Sequence, residues 1–116
     1  MARRVLRKHE VVKNSLDSIA EYLATEASLR VALHFLERAE EAFALILRSP
    51  RIGHLQVFRS LELEGVRAWH VRGFAKWLVY YREVEDGVEV LDVMHGAQDR
   101  DARFQENFED EGPHSG

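Results

Sequence analysis

Four side chains in the second half of this chain are of the types that phosphate chemistry requires: Arg72, Lys76, Arg82 and His95. A histidine has an ordinary pKa of about 6.5, so His95 could take or give a proton near neutrality. Guanidinium and ammonium groups could hold a phosphate and offset charge as it develops, and Arg67 would extend that rim. The same residues have plainer uses. Arg82 could pair with Asp92 or Asp99, or reach solvent from a strand end. His95, just before Gly96-Ala97, could hydrogen-bond the chain end and fix a turn. Glu83, Glu85, Asp86 and Glu89 are interleaved with the cations, which argues against a nuclease site and for a protein-binding surface. His9, His34, His54, His70 and His114 are scattered without metal-ligand spacing, so neither a metal nor another cofactor is expected.

The second set with functional potential is aromatic: Trp69, Phe74, Trp77, Tyr80 and Tyr81. Alternate residues of a strand face opposite ways, so these five cannot all enter one core. If helices cover one face of the sheet, the other face should expose some of them, with Leu78 or Val79, as a groove for a partner's helix or strand. Core remains the ordinary fate of any single one.

All these residues lie in one block, Val66 to Asp99, that must be positioned by the rest. It reads as three strands, Val66–Val71, Lys76–Glu83 and Val88–His95, separated by a turn at Arg72–Ala75 and a hairpin turn at Glu85-Asp86-Gly87, where Asp-Gly tolerates positive φ. Upstream, residues 3–13 read as an edge strand, with charged residues among Val5, Leu6, Val11 and Val12. Asn14 or Ser15 then caps a helix whose apolar face is Leu16, Ile19, Ala20, Leu23 and Ala27. Ser28 opens a second helix with the stripe Ala32, Phe35, Leu36, Ala39, Phe43, Ile46 and Leu47, which Ser49-Pro50 stops. Residues 51–65 are a connection in which Leu61 and Leu63 could start a strand early, and Gly65 marks a turn. The order β-α-α-β-β-β gives an α+β domain with a helical hairpin on one face of a small antiparallel sheet.

Composition limits the options further. At 116 residues the chain fits one domain with a real core. It has no cysteine, so disulfides and thiolate metal sites are excluded. No apolar run approaches the roughly 20 residues of a membrane span, and no signal-like segment follows the basic start, so a cytoplasmic location is expected. The net charge is −4. Four of the 20 acids (Glu106, Glu109, Asp110 and Glu111) fall in residues 106–116, and the remaining 16 equal the 16 Lys and Arg. A neutral body over residues 1–105 therefore precedes an acidic, disordered tail over residues 106–116. Such a body lacks the positive field of a nucleic-acid binder, although Arg3, Arg4, Arg7 and Lys8 cluster at its start.

The runs Val71-Arg72-Gly73-Phe74, Trp77-Leu78-Val79-Tyr80-Tyr81-Arg82 and Val88 to Ala97, ending His95-Gly96-Ala97, follow a helical hairpin that contains Phe35 to Phe43 and closes at Ser49-Pro50. In order and spacing they resemble the ParE branch of the RelE/ParE toxin superfamily over roughly residues 4–103. Gln98 stands where many relatives carry arginine, and His70 where many carry proline. The resemblance implies a toxin of a type II toxin–antitoxin module, plasmid- or chromosome-borne, neutralised by a small cognate antitoxin. ParE-like members are thought to poison DNA gyrase by binding, which would give Trp69, Phe74, Trp77, Tyr80 and Arg82 a partner-binding role and no catalytic one. RelE-like relatives instead cut mRNA on the ribosome, and in that alternative Arg72, Lys76, Arg82 and His95 would be catalytic. A member that has lost toxicity and persists as a binding module is the third reading. In the gyrase reading, nucleic acid is contacted only through the antitoxin complex.

Overall fold

The computed structural model describes residues 3–98 and 100–104. The elements are β1 (Val5–Lys8), α1 (Val11–Glu26), α2 (Leu29–Arg48), β2 (His54–Leu55), a 3-10 turn at Leu61–Leu63, β3 (Arg67–Val71), β4 (Phe74–Val84), β5 (Gly87–His95) and α3 (Arg100–Phe104). The sheet order is β1-β5-β4-β3-β2. The α+β class, the helical hairpin and the antiparallel β3-β4-β5 meander are as expected. The sheet is mixed, however, because β1 lies parallel to β5. A parallel neighbour needs a long crossover, which the hairpin of helices and the meander together supply. The expected acidic tail, residues 106–116, lies outside the described residues.

Local signals were overridden at the N-terminus. Val11 and Val12 favour strands, yet both sit in the first turn of α1, and Val12 is fully buried. Burial against the sheet outweighs a propensity difference of at most about 1 kcal/mol. Neither Asn14 nor Ser15 caps the helix, which starts three residues before Asn14. The His9 ring meets the first turn instead, its Nδ1 accepting from Val11 N at 3.3 Å. At α2 the cap is as read: Ser28 Oγ accepts from Val31 N at 3.1 Å. Leu61 and Leu63 form the 3-10 turn rather than an early strand.

The helix-side core joins Val12, Ile19, Phe35, Ala39, Phe43 and Ile46 to Val71, Val79, Tyr81, Val88, Val90 and Val93. The opposite face is not open, which corrects the expected exposed groove. Leu63, Val66, Ala68, Tyr80, Leu91, Met94 and Phe104 form a second buried cluster, with Phe58 and Leu78 packed on it. The 58–66 connection and α3 cover that face. A bulge lets β5 serve both cores. Tyr80 pairs with Asp92 and Tyr81 with Val90, leaving Leu91 as the extra residue. Side chains facing the helices therefore change from Val88 and Val90 to Val93.

Tyr81 ties the connection to the sheet. Its hydroxyl donates to Pro50 O and accepts from Gly53 N, each at 2.8 Å. Gly53 must be glycine, since a Cβ there would lie 2.6 Å from that hydroxyl. Tyr81→Phe strands a buried N–H and a carbonyl and is expected to cost about 1–3 kcal/mol. Urea unfolding measures this, and an unchanged midpoint would refute the tie.

Candidate protein-binding face

The four phosphate-type residues do not gather. Arg82 is half-buried on the face away from the helices. Its Nε meets Glu89 Oε1 at 3.0 Å and its Nη1 donates to Glu62 O at 2.9 Å. Glu89 is its cross-strand neighbour, so the pairing is local but with neither of the carboxylates anticipated. Arg72 reaches α2, where its Nη2 lies 3.3 Å from Glu41 Oε1. Lys76 is exposed. His95 sits opposite Trp77, five residues along β4 from Arg82. That is about 16 Å at ~3.3 Å per residue, with Arg82 facing the other side of the sheet.

His95 does what a turn-fixing histidine does. Its Nδ1 accepts from Ala97 N at 3.0 Å, and its ring stands edge-on to Trp77 at 5.0 Å. An accepting Nδ1 places the proton of the neutral ring on Nε2. Gln98 completes the turn, its Oε1 accepting from His95 N at 3.0 Å.

The aromatic candidates divide by strand phase. Tyr80 and Tyr81 are buried, 3% and 0% exposed, so neither offers its ring to a partner. Trp69, Phe74 and Trp77 are half-buried at the rim of the helix-side core. Phe74 stands edge-on to Phe35 at 5.2 Å, and Trp77 packs on Phe35 at 6.2 Å and on Tyr22 at 6.4 Å. Tyr22, 55% exposed, was not among the sequence candidates. It lies between the apolar positions Ile19 and Leu23 of its helix.

Trp77 and Tyr22 are two walls of an open cavity of about 380 Å³ between α1 and the end of the sheet, also lined by Asn14, Ser18, Ile19 and Arg103. Beside it lies a buried polar cluster. Asp92 is fully buried. Its Oδ1 accepts from Ser15 Oγ at 2.5 Å and from Val93 N at 2.7 Å. Arg103 Nη2 stands 3.4 Å from Asp92 Oδ2 and 3.1 Å from Ser15 Oγ. Burial pushes the Asp92 carboxyl above the ordinary range, and the Ser15 and Val93 hydrogen bonds and the Arg103 charge only partly oppose it. Sequence reasoning missed this cluster, although two signals mark it. Ser15 interrupts the apolar face between Val12 and Ile19, and Asp92 is a lone carboxylate in Val90-Leu91-Asp92-Val93-Met94.

No group of three or more His, Asp or Glu able to hold a metal occurs among the described residues, and no helix among them is long and apolar enough to cross a membrane. The family model for the ParE toxin of the type II toxin–antitoxin system parDE matches residues 6–100. Among solved structures, the chain is similar to one titled as a chromosomal ParDE toxin–antitoxin system from P. aeruginosa, with a TM-score of 0.65 at 14% identity. That match covers 79% of this chain and 95% of the other, and at such identity it speaks for the fold. No curated protein matches.

Proposed function

The chain belongs to the ParE toxin family of type II toxin–antitoxin systems, and from that premise we propose that it poisons its target by binding rather than by cutting RNA. The target is DNA gyrase, the site of action is the cytoplasm, and a small cognate antitoxin neutralises the toxin by covering its binding face. The observation that carries this reading is the dispersal of Arg72, Lys76, Arg82 and His95. An RNA-cleaving site needs its proton-transfer group and its phosphate-holding cations within reach of one phosphate. Here Arg82 is engaged by Glu89 and Glu62 on the far face, and His95 braces a turn. The half-exposed aromatic rim of Trp77 and Tyr22, open over its cavity, is suited to anchor a protein partner. Trp69 and Phe74 extend the same face.

The purified protein is tested on gyrase with supercoiled DNA and, separately, on translating ribosomes. Gyrase-dependent DNA breaks without RNA cleavage are expected. His95→Ala and Arg82→Gln should leave those breaks within about twofold, whereas Tyr22→Ser with Trp77→Leu should reduce them at least about tenfold, the size of a lost hot-spot anchor. RNA cleavage abolished by His95→Ala would overturn the proposal. Expression without growth arrest or gyrase effect would instead mark a chain that has lost toxicity.

A further inference from the structure

A second cleft, separate from the one beside Tyr22, lies farther along the same aromatic rim, between α2 and the outer part of β3. It holds about 390 Å³ and is lined by Arg38, Glu41, Arg48, Trp69, His70 and Arg72 among others. Three guanidiniums, two from α2 and one from the turn after β3, thus line a cleft that holds one carboxylate. Glu41 Oε1 is shared by Arg38 Nη1 at 3.2 Å and Arg72 Nη2 at 3.3 Å. Arg48, exposed in the last turn of α2, has no acidic partner among the described residues. The Trp69 and His70 rings lie 4.6 Å apart along the same wall.

The sheet edge beside this cleft is also open. β2 pairs only with Arg67 and Ala68, so among the described residues no strand lies outside Trp69–Val71. The opposite edge differs. There β1 carries Arg7 and Lys8, each held by an acid, and charge of that kind discourages strand addition. Of the two edges, the one at β3 is the better suited to an extended segment.

We propose that this cleft is a docking site for an extended acidic segment of a protein partner, whose carboxylates take Arg48 and Arg72 while an apolar or aromatic side chain rests on Trp69. The excess of two positive charges over the single carboxylate selects an acidic segment. The acids of the neighbouring helix face, Glu37 and Glu40, limit the positive field to the cleft itself, so a polynucleotide gains little beyond it. Each guanidinium can grip a carboxylate through two parallel hydrogen bonds. The inference rests on the reading of this protein as one that grips other proteins. Its test uses neither gyrase nor growth arrest, so either reading can fail alone.

The test is titration of the full chain with a fluorescent peptide of roughly twelve residues, made of Glu and Asp with one central Phe. Arg48→Glu with Arg72→Glu is expected to weaken binding at least about tenfold, and Lys13→Glu, a charge change elsewhere on the surface, less than about twofold. Raising salt from about 50 to about 300 mM should weaken the wild-type complex severalfold and the double variant little. Arg48→Gln alone, an exposed change that leaves the Glu41 contacts intact, should lower affinity about threefold. Equal loss with Lys13→Glu would overturn the site, since attraction would then be general. So would binding of an oligothymidine of equal charge as tight as that of the peptide. Replacing Glu106, Glu109, Asp110 and Glu111 by Gln should leave peptide affinity unchanged. A tenfold gain would give the cleft to the chain's own acidic end and overturn the assignment to a partner.

Discussion

Gly87→Ala is expected to destabilise the fold by about 3–5 kcal/mol, the sum of a backbone and a steric effect. Gly87 has φ +155°, a conformation that residues with a side chain rarely adopt. It also lies against β1, opposite Val5. A Cβ at position 87 would sit 1.9 Å from Val5 O and 2.7 Å from Val5 N. These are backbone atoms of a paired strand, not the end of a flexible side chain, so β1 must move. Its movement threatens Val5 N to Asp86 O at 2.8 Å and the two-pronged pair between Arg7 and Asp86. Gly73 supplies the control, because it has φ +84° but open space around its would-be Cβ. Gly73→Ala should therefore show the backbone effect alone, about 1 kcal/mol. Urea unfolding of both variants separates the two contributions. Equal midpoints would mean that β1 yields freely and that the close approach has no energetic weight.

The same hairpin shows what could be read from sequence and what could not. Glu85-Asp86 is a two-residue loop, and a loop of that length fixes the register of everything beside it. Val84 pairs with Gly87, Glu83 with Val88, and Arg82 with Glu89. The turn read as Glu85-Asp86-Gly87 is one residue too long, which would set Arg82 opposite Val90. With Gly87 in β5 the same count gives Glu89, whereas Asp92 and Asp99 were the partners expected. Counting fails beyond Tyr81, where the bulge at Leu91 shifts the phase. No local signal marks that bulge, because Leu91 is an ordinary strand residue whose direction is settled only when both faces of the sheet have cores to fill.

The second core was hidden for a related reason. Helical periodicity announces a covering helix, and α2 announced itself through Ala32, Phe35, Ala39, Phe43 and Ile46. The far face is covered instead by irregular chain and a five-residue helix, which carry no period. Their marks are the aromatics Phe58 and Phe104 and the aliphatic Leu63 and Val66, spaced without a regular repeat. Each aromatic stands edge-on to its partner, Phe58 on Phe104 at 5.4 Å and Phe104 on Tyr80 at 5.6 Å. The surface available for binding follows directly. With Tyr80 covered, aromatic exposure moves to the rim at Trp69, Phe74 and Trp77 and to Tyr22, which no argument from strand alternation could supply.

Asp92→Ala is expected to cost about 2–5 kcal/mol, from about 1–3 kcal/mol for each of two buried donors left unpaired. Alanine leaves the Ser15 hydroxyl and the Val93 N–H without the Oδ1 acceptor they share, and removes the charge that Arg103 faces at 3.4 Å. Asp92→Asn is the more informative change, because the amide oxygen can still accept from Ser15 and Val93 while the titration is removed. Burial raises the Asp92 carboxyl above its ordinary range, so the folded protein keeps this proton to higher pH than the unfolded chain does. Within the interval between the unfolded value, about 4, and the raised folded one, the native state binds more protons. The contribution of Asp92 to stability is therefore greatest below that interval, falls as pH rises through it, and is level above it. Asparagine does not titrate, and the other carboxylates are common to both proteins and cancel in the difference. The stability of Asp92→Asn relative to the parent should thus improve as pH is raised from about 4 and then become constant. Paired urea titrations across that range measure it. A difference that moves the opposite way would mean that Arg103, at 3.4 Å, outweighs burial and holds the carboxylate ionised in the fold.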